Sequence, residues 1–184
     1  LRDLGGLSIK ITTVLNTRNY DEILPLMREV KSHGADFHSV ILMRGEPLDP
    51  TMTLPDLTEL HRIGPEIFRE LEAYDYGRST LSAHLLRNFH RLLWNVSLDT
   101  IEHQTQVIPC LAGQTHAVIG GDGGVSSCEM LPSVGNLQRQ DLDEILASEV
   151  FRKQVQDIRD KKCHCTHNCA MLASIFFNPA NFHK

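Results

Sequence analysis

Ile108–Leu137 reads IPCLAGQTHAVIGGDGGVSSCEMLPSVGNL, and its texture differs from everything before it. Glycine, cysteine and short β-branched runs replace the long amphipathic patterns upstream. HAVIG (His116–Gly120) and VSSCE (Val125–Glu129) flank GDGG, and Asp122-Gly123 supplies the positive-φ residues a tight hairpin needs. Asp122 reads as a turn former. Closing this hairpin carries Cys128 back alongside the strand that begins soon after Cys110, so two thiols with 17 residues between them converge.

Downstream, helical patterns at about 141–147 and 148–160 lead into CHCTHNC (Cys163–Cys169), which holds three of the five cysteines. Five is an odd number, and crowded thiols in a chain without a signal-peptide layout point to a metal site over a disulfide framework. Thiolates favour iron–sulfur clusters or zinc, and a four-thiolate site suits both. Cys110 and Cys128 are the first expected ligands, and the other two come from Cys163, Cys165 and Cys169. The single residue between Cys163 and Cys165 makes their joint ligation cramped, so Cys169 with either is the preferred pair. His164 and His167 lie among these thiols and are the alternative donors of a mixed site.

Upstream, Leu7–Leu15 (LSIKITTVL) has strand character, and a helix is expected from about Tyr20 to His33. Asn19 with Glu22 offers a capping box, and Gly34 is placed to end the helix. A cap at Asp21 would put Pro25 in the first turn, where proline is tolerated. Phe37–Met43 (FHSVILM) reads as a buried second strand ending in RGEPLDP. Strand–helix–strand with short loops predicts an α/β fold with a parallel sheet. Two strands do not make a stable sheet alone. Two helices should follow, Pro55–Ala73, kinked or broken at Gly64-Pro65, and Ser79–His103, with Gly77 between them. Leu81, Leu85, Leu86, Phe89, Leu92, Leu93 and Val96 form one face of the second, read as core packing together with Trp94.

A net charge of −5 gives no electrostatic footprint for nucleic acid. No apolar run is long enough to span a bilayer, and the reducing cytosol is the expected compartment. The start, LRDLGGLSIK, lacks an initiator methionine and reads as the tail of a helix, so the chain is expected to be a piece of a longer polypeptide whose missing part completes the sheet. An open sheet edge predicts poor solubility for the piece alone.

The segment Cys110, twelve residues, Gly123, four residues, Cys128 resembles the opening signature of the SPASM and twitch domains that extend radical S-adenosylmethionine (radical SAM) enzymes. The proline–cysteine, the aspartate–glycine turn, the closing cysteine and the Gly135-Asn136-Leu137 that follows are similar to that pattern. ITTVLNTRNYDEI and VILMRGEP resemble the fifth and sixth strands of the preceding barrel. The resemblance implies the C-terminal part of a partial (β/α) barrel at 1–76, a linking helix at 77–106 and a small α+β cysteine-rich cluster domain at 107–184. It implies one auxiliary 4Fe-4S cluster, with S-adenosylmethionine and a second 4Fe-4S cluster in the full-length parent. The parent would modify a peptide or small-molecule substrate, drawing electrons from a donor such as flavodoxin or ferredoxin. Asn16, Asn19 and Arg44 lie at the strand ends, where such sheets bind ligands. Asn16 and Arg44 are the candidate cofactor contacts. Asn19 has helix capping as its competing role, and Arg44 has pairing with Glu46 or Asp49. The catalytic Cys-x3-Cys-x2-Cys spacing is absent, since the intervals here are 17, 34, 1 and 3 residues. The piece alone is therefore not expected to be a competent enzyme. The competing expectation is a binding module whose thiols and histidines hold a structural zinc.

Overall fold

The computed structural model describes residues 7–45, 47–74, 76 and 80–177. The chain divides into two compact units, Leu1–Leu98 and Asp99–Lys184. It is mixed α/β, with two small sheets and six α-helices among the described residues.

In the first unit, β1 (Lys10–Leu15) pairs in parallel with β2 (Phe37–Leu42), from Lys10↔Phe37 to Leu15↔Leu42. The run FHSVIL is mostly buried, as expected of a parallel strand covered on both faces. On β1 only Leu15 is fully buried, and Ile11 and Val14 stay partly exposed. The crossover is α1 (Ile23–Ser32), preceded by a short 3-10 turn at Tyr20–Glu22. Ile23 and Met27 bury its inner stripe completely. Pro25 falls in the first turn, where its missing N–H has no intrahelical partner to lose. Gly34 closes the helix at φ 83°.

The capping box at Asn19 does not form. Its Oδ1 accepts from Asn16 N at 2.9 Å and its Nδ2 donates to Val14 O at 2.9 Å, so it braces the loop after β1 instead. These two strands and their crossover are what the described residues contain of the expected barrel, and a partial barrel is not established by them.

α2 (Leu57–Leu71) starts at Asp56, whose carboxylate accepts from Glu59 N at 2.9 Å. It runs unbroken through Gly64-Pro65. The buried face of Leu60, Ile63, Ile67 and Leu71 holds the helix together where proline removes one hydrogen bond. Gly64 is required by close approach, because a Cβ there would stand 2.7 Å from Trp94 Nε1. Trp94 belongs to α3 (Thr80–His103) and meets Phe68 edge to face at 6.0 Å. The expected apolar face of α3 is only partly core. Leu93, Trp94 and Val96 are buried, whereas Leu81 and Leu85 are 70% and 61% exposed. Periodicity defines a face without saying what covers it. Gly77, Ser79 and Glu46 lie outside the described residues.

In the second unit, β3 (Val118–Ile119), β4 (Gly124–Ser126) and β5 (Gly135–Asn136) form an antiparallel sheet in that order. The chain turns at Asp122-Gly123, with Gly123 at φ 81°; Asp122 does not take the expected positive φ, and its Oδ1 accepts from Gly124 N. The third strand was not expected. Gly135 leaves space that the Ile145 side chain fills, and Asn136 Nδ2 donates to Asp122 O at 3.0 Å. α4 (Leu142–Ala147) and α5 (Glu149–Arg159) follow, the latter capped by Ser148. α6 (Asn168–Phe176), also not expected, begins inside CHCTHNC. No helix among the described residues is long and apolar enough to cross a membrane.

Two tests follow from the first unit. Gly64→Ala gains about 1 kcal/mol of helix propensity but overpacks Trp94 by about 1–3 kcal/mol, so a net loss of about 1 kcal/mol is expected in denaturant melts. His90 stacks against Phe37 at 4.8 Å, and burial, with a smaller contribution from Lys10, pushes it down to about 4. The unfolded chain takes up this proton first, so the stability His90 contributes is present above its ordinary 6.5 and is lost as pH falls towards 4. His90→Gln should flatten the fall in stability across that window.

Candidate metal centre

Cys110 sits in the irregular stretch after α3, Cys128 directly after β4, and Cys163 and Cys165 in the segment between α5 and α6. None of the four lies within a helix or a strand, so ladder hydrogen bonds do not fix their positions. Side chains do that work. The amide of Gln106, 6% exposed, accepts from Cys110 N at 3.1 Å and donates to Cys163 O and Ile158 O, each at 2.9 Å. Ser174 on α6 accepts from Leu111 N at 3.0 Å and donates to Ala170 O at 2.7 Å. Beside Cys128, Gln154 on α5 accepts from both Ser127 N and Ser127 Oγ, at 2.9 and 2.6 Å, while its own amide donates to Pro132 O. Gly113, at φ 76°, lets the loop lie against Ser127, since a Cβ would be 2.8 Å from the serine's own.

These ties surround a cavity of about 240 Å³ bordered by Cys110, Cys128, Cys163 and Cys165. The remaining wall is largely apolar, with Ile108, Ala112, Met130, Leu131, Ile158 and Met171 among its residues. The space is far larger than the ~15 Å³ that a single bound water needs. Ala112, Cys128, Ile158 and Ala170 form a buried apolar cluster against which Cys110 and Cys163 pack. Burial raises the Cys110 thiol, and the neighbouring Cys128 adds to the rise. Burial likewise raises Cys163, with smaller contributions from Cys110, Cys165 and Cys128. Each of these thiols therefore feels its neighbours, as members of one donor set do. Among the described residues, no three His, Cys, Asp or Glu side chains are grouped to hold a single metal ion. The thiols ring a cavity instead of meeting at a point.

Cys169 lies elsewhere. It is on the first turn of α6, exposed, and is not among the residues bordering the cavity. His164 borders the cavity, with Nε2 3.1 Å from Gln104 Oε1. His167 is buried, with Nδ1 3.9 Å from Cys128 Sγ and Nε2 2.8 Å from Glu129 Oε2.

In the first unit, Asn16 is 8% exposed and its side chain serves its own loop, donating to Val14 O and accepting from Arg18 N. Arg44 follows the end of β2. Asp49, a proposed partner for it, pairs with Arg18 and accepts from Thr51.

Gln106, Gln154 and Ser174 carried no signal in the sequence. An isolated glutamine or serine has no diagnostic spacing, and the groups they hold are 57, 27 and 63 residues away.

A family model for the SPASM iron–sulfur cluster-binding domain matches residues 100–170. The chain thus contains a SPASM domain, and that domain spans the hairpin and all five cysteines. Comparison with curated proteins and with solved structures returns no match.

The burial pattern predicts an order of thiol reactivity. With iron and sulfide withheld, iodoacetamide should modify Cys169 first and Cys110 and Cys163 slowly, measured by mass spectrometry of peptides over time. Their rates should climb as pH rises, because the thiolate is the nucleophile and its formation is opposed by burial. The stability gained by burying these neutral thiols is complete below the ordinary thiol pKa and is lost as pH rises through the raised values. Equal rates at Cys163 and Cys169 near neutral pH would contradict the enclosed site.

Proposed function

We propose that this chain is the C-terminal portion of a radical SAM enzyme, and that Cys110, Cys128, Cys163 and Cys165 hold one auxiliary 4Fe-4S cluster in the cavity they border. The observation that carries the reading is the convergence of these four thiols, from three separated segments, on one apolar-walled space inside the SPASM match. The donor set fits the group. Thiolates are the standard ligands of such clusters, and four of them satisfy its four irons. A single tetrahedral zinc, with Zn–S of about 2.3 Å, would need its sulfurs roughly 3.8 Å apart around one point. A ring of thiols about a cavity suits a multi-atom group better.

When bound, such a cluster would supply one-electron transfer. The chain's own residues bind and orient it. Cys110, Cys128, Cys163 and Cys165 ligate, the apolar wall excludes water, and the amides of Gln106 and Gln154 hold the ligand loops. Cys169 is the spare thiol. In the full-length parent, S-adenosylmethionine and a second 4Fe-4S cluster would be bound upstream, with Arg44 and Asn16 the nearest candidates in this chain to approach that cofactor. The substrate is a peptide or a small molecule, and a flavodoxin- or ferredoxin-type donor provides electrons.

Anaerobic reconstitution with iron and sulfide, followed by metal and sulfide analysis, tests this. The expected product is brown and contains about four irons and four sulfides per chain, the composition of a 4Fe-4S cluster. Serine at position 110, 128, 163 or 165 should each remove most of the bound iron, whereas Cys169→Ser should retain it. Stoichiometric zinc without a chromophore would replace this reading with a structural zinc module.

A further inference from the structure

We propose that Gln106 is a positioning residue for the cluster, one buried amide that fixes Cys110 relative to Cys163 and sets the potential at which the cluster is reduced. The inference rests on the ligand assignment above. Gln106 follows Gln104, whose backbone at φ 51° takes the chain out of α3. The Gln106 side chain then joins two ligand segments through three hydrogen bonds. Oε1 accepts from the Cys110 backbone, and both hydrogens of Nε2 are used, one on Cys163 O and one on Ile158 O in the last turn of α5. This fixes the amide's orientation without ambiguity, since a flip would set its oxygen against two carbonyls.

The same Nε2 lies 3.9 Å from Cys163 Sγ, so a hydrogen bonded to a carbonyl is shared with that sulfur in a longer contact. Reduction adds negative charge to a cluster and its thiolates, and nearby N–H groups stabilise that charge and raise the potential. Gln106 therefore acts twice, through the geometry of Cys110 and Cys163 and through the charge tolerance of Cys163. Gln156, exposed on α5, donates to Asp160 Oδ1 at 2.8 Å and does not border the cavity, and it provides a control of the same residue type.

The test compares wild type with Gln106→Met, which keeps the volume, Gln106→Asn, which keeps the amide and withdraws it by one methylene, and Gln106→Glu, which keeps the Cys110 bond and adds charge. Each chain is reconstituted anaerobically and read by iron content, by the EPR signal of the reduced cluster and by its midpoint potential in a redox titration. Circular dichroism checks the fold. Cluster affinity should fall about 10–100-fold in Gln106→Met, as for other residues that orient ligands from behind. The cluster that remains should have a more negative potential and an altered EPR signal, most negative in Gln106→Glu and mildest in Gln106→Asn. Gln156→Met should leave the potential where it was. A wild-type potential and EPR signal in all folded Gln106 variants would overturn this inference alone. Failure of the wild-type chain to assemble any cluster would overturn the functional reading and this inference with it.

Discussion

The second unit depends on a single constraint: the four cysteines that border its cavity lie on backbone that no helix or sheet holds. A loop that must present a side chain to within a fraction of an ångström needs some other source of order. Here the source is a small set of side-chain hydrogen bonds, most of them part-buried, several of which join segments far apart in sequence. The antiparallel sheet and the helices α5 and α6 are the frame from which those side chains reach. β4 delivers Cys128, α5 delivers Gln154 and the carbonyl of Ile158, and α6 delivers Ser174. The regular elements are short, and their role is to be fixed points around a cavity.

The apolar wall makes this arrangement consequential. Buried neutral thiols cost little, because cysteine behaves as a small hydrophobe. Buried thiolates cost a great deal unless a cation balances them. Burial of Cys110 and Cys163 therefore favours their protonated forms, the direction in which both thiols are shifted.

Much of this was legible from residue pattern. The hairpin around Asp122-Gly123 follows from positive-φ chemistry, which acts locally and so leaves a local trace. The α1 stripe and the two parallel strands are legible for the same reason. Pattern failed where tertiary contact decided the outcome. Gly64-Pro65 was read as a kink or a break, and a break is ruled out because α2, with its buried face and the indole over Gly64, runs on through it. Asn19 had the spacing of a cap and was claimed instead by the loop it follows. Leu81 and Leu85 matched a core period and are exposed. β5 is two residues long, too short to leave a period at all. At the candidate site, the cysteines could be named from crowding alone. Their sorting around the cavity rests on α6 starting at Asn168, which turns Cys169 outward, and no spacing rule contained that.

The long reach of the clips also bears on when the site comes into being. Gln106 must wait for residue 163 and Leu111 for Ser174, so the pocket is stitched by contacts 57 and 63 residues apart. Contacts of that separation carry a loop-closure cost that only later interactions recover, and they form late in folding. A ribosome that has made the hairpin and both of its cysteines has not yet made the wall that encloses them. A chain cut short just before Ser174 would carry all five cysteines and still lack the hydroxyl that ties Leu111 to α6.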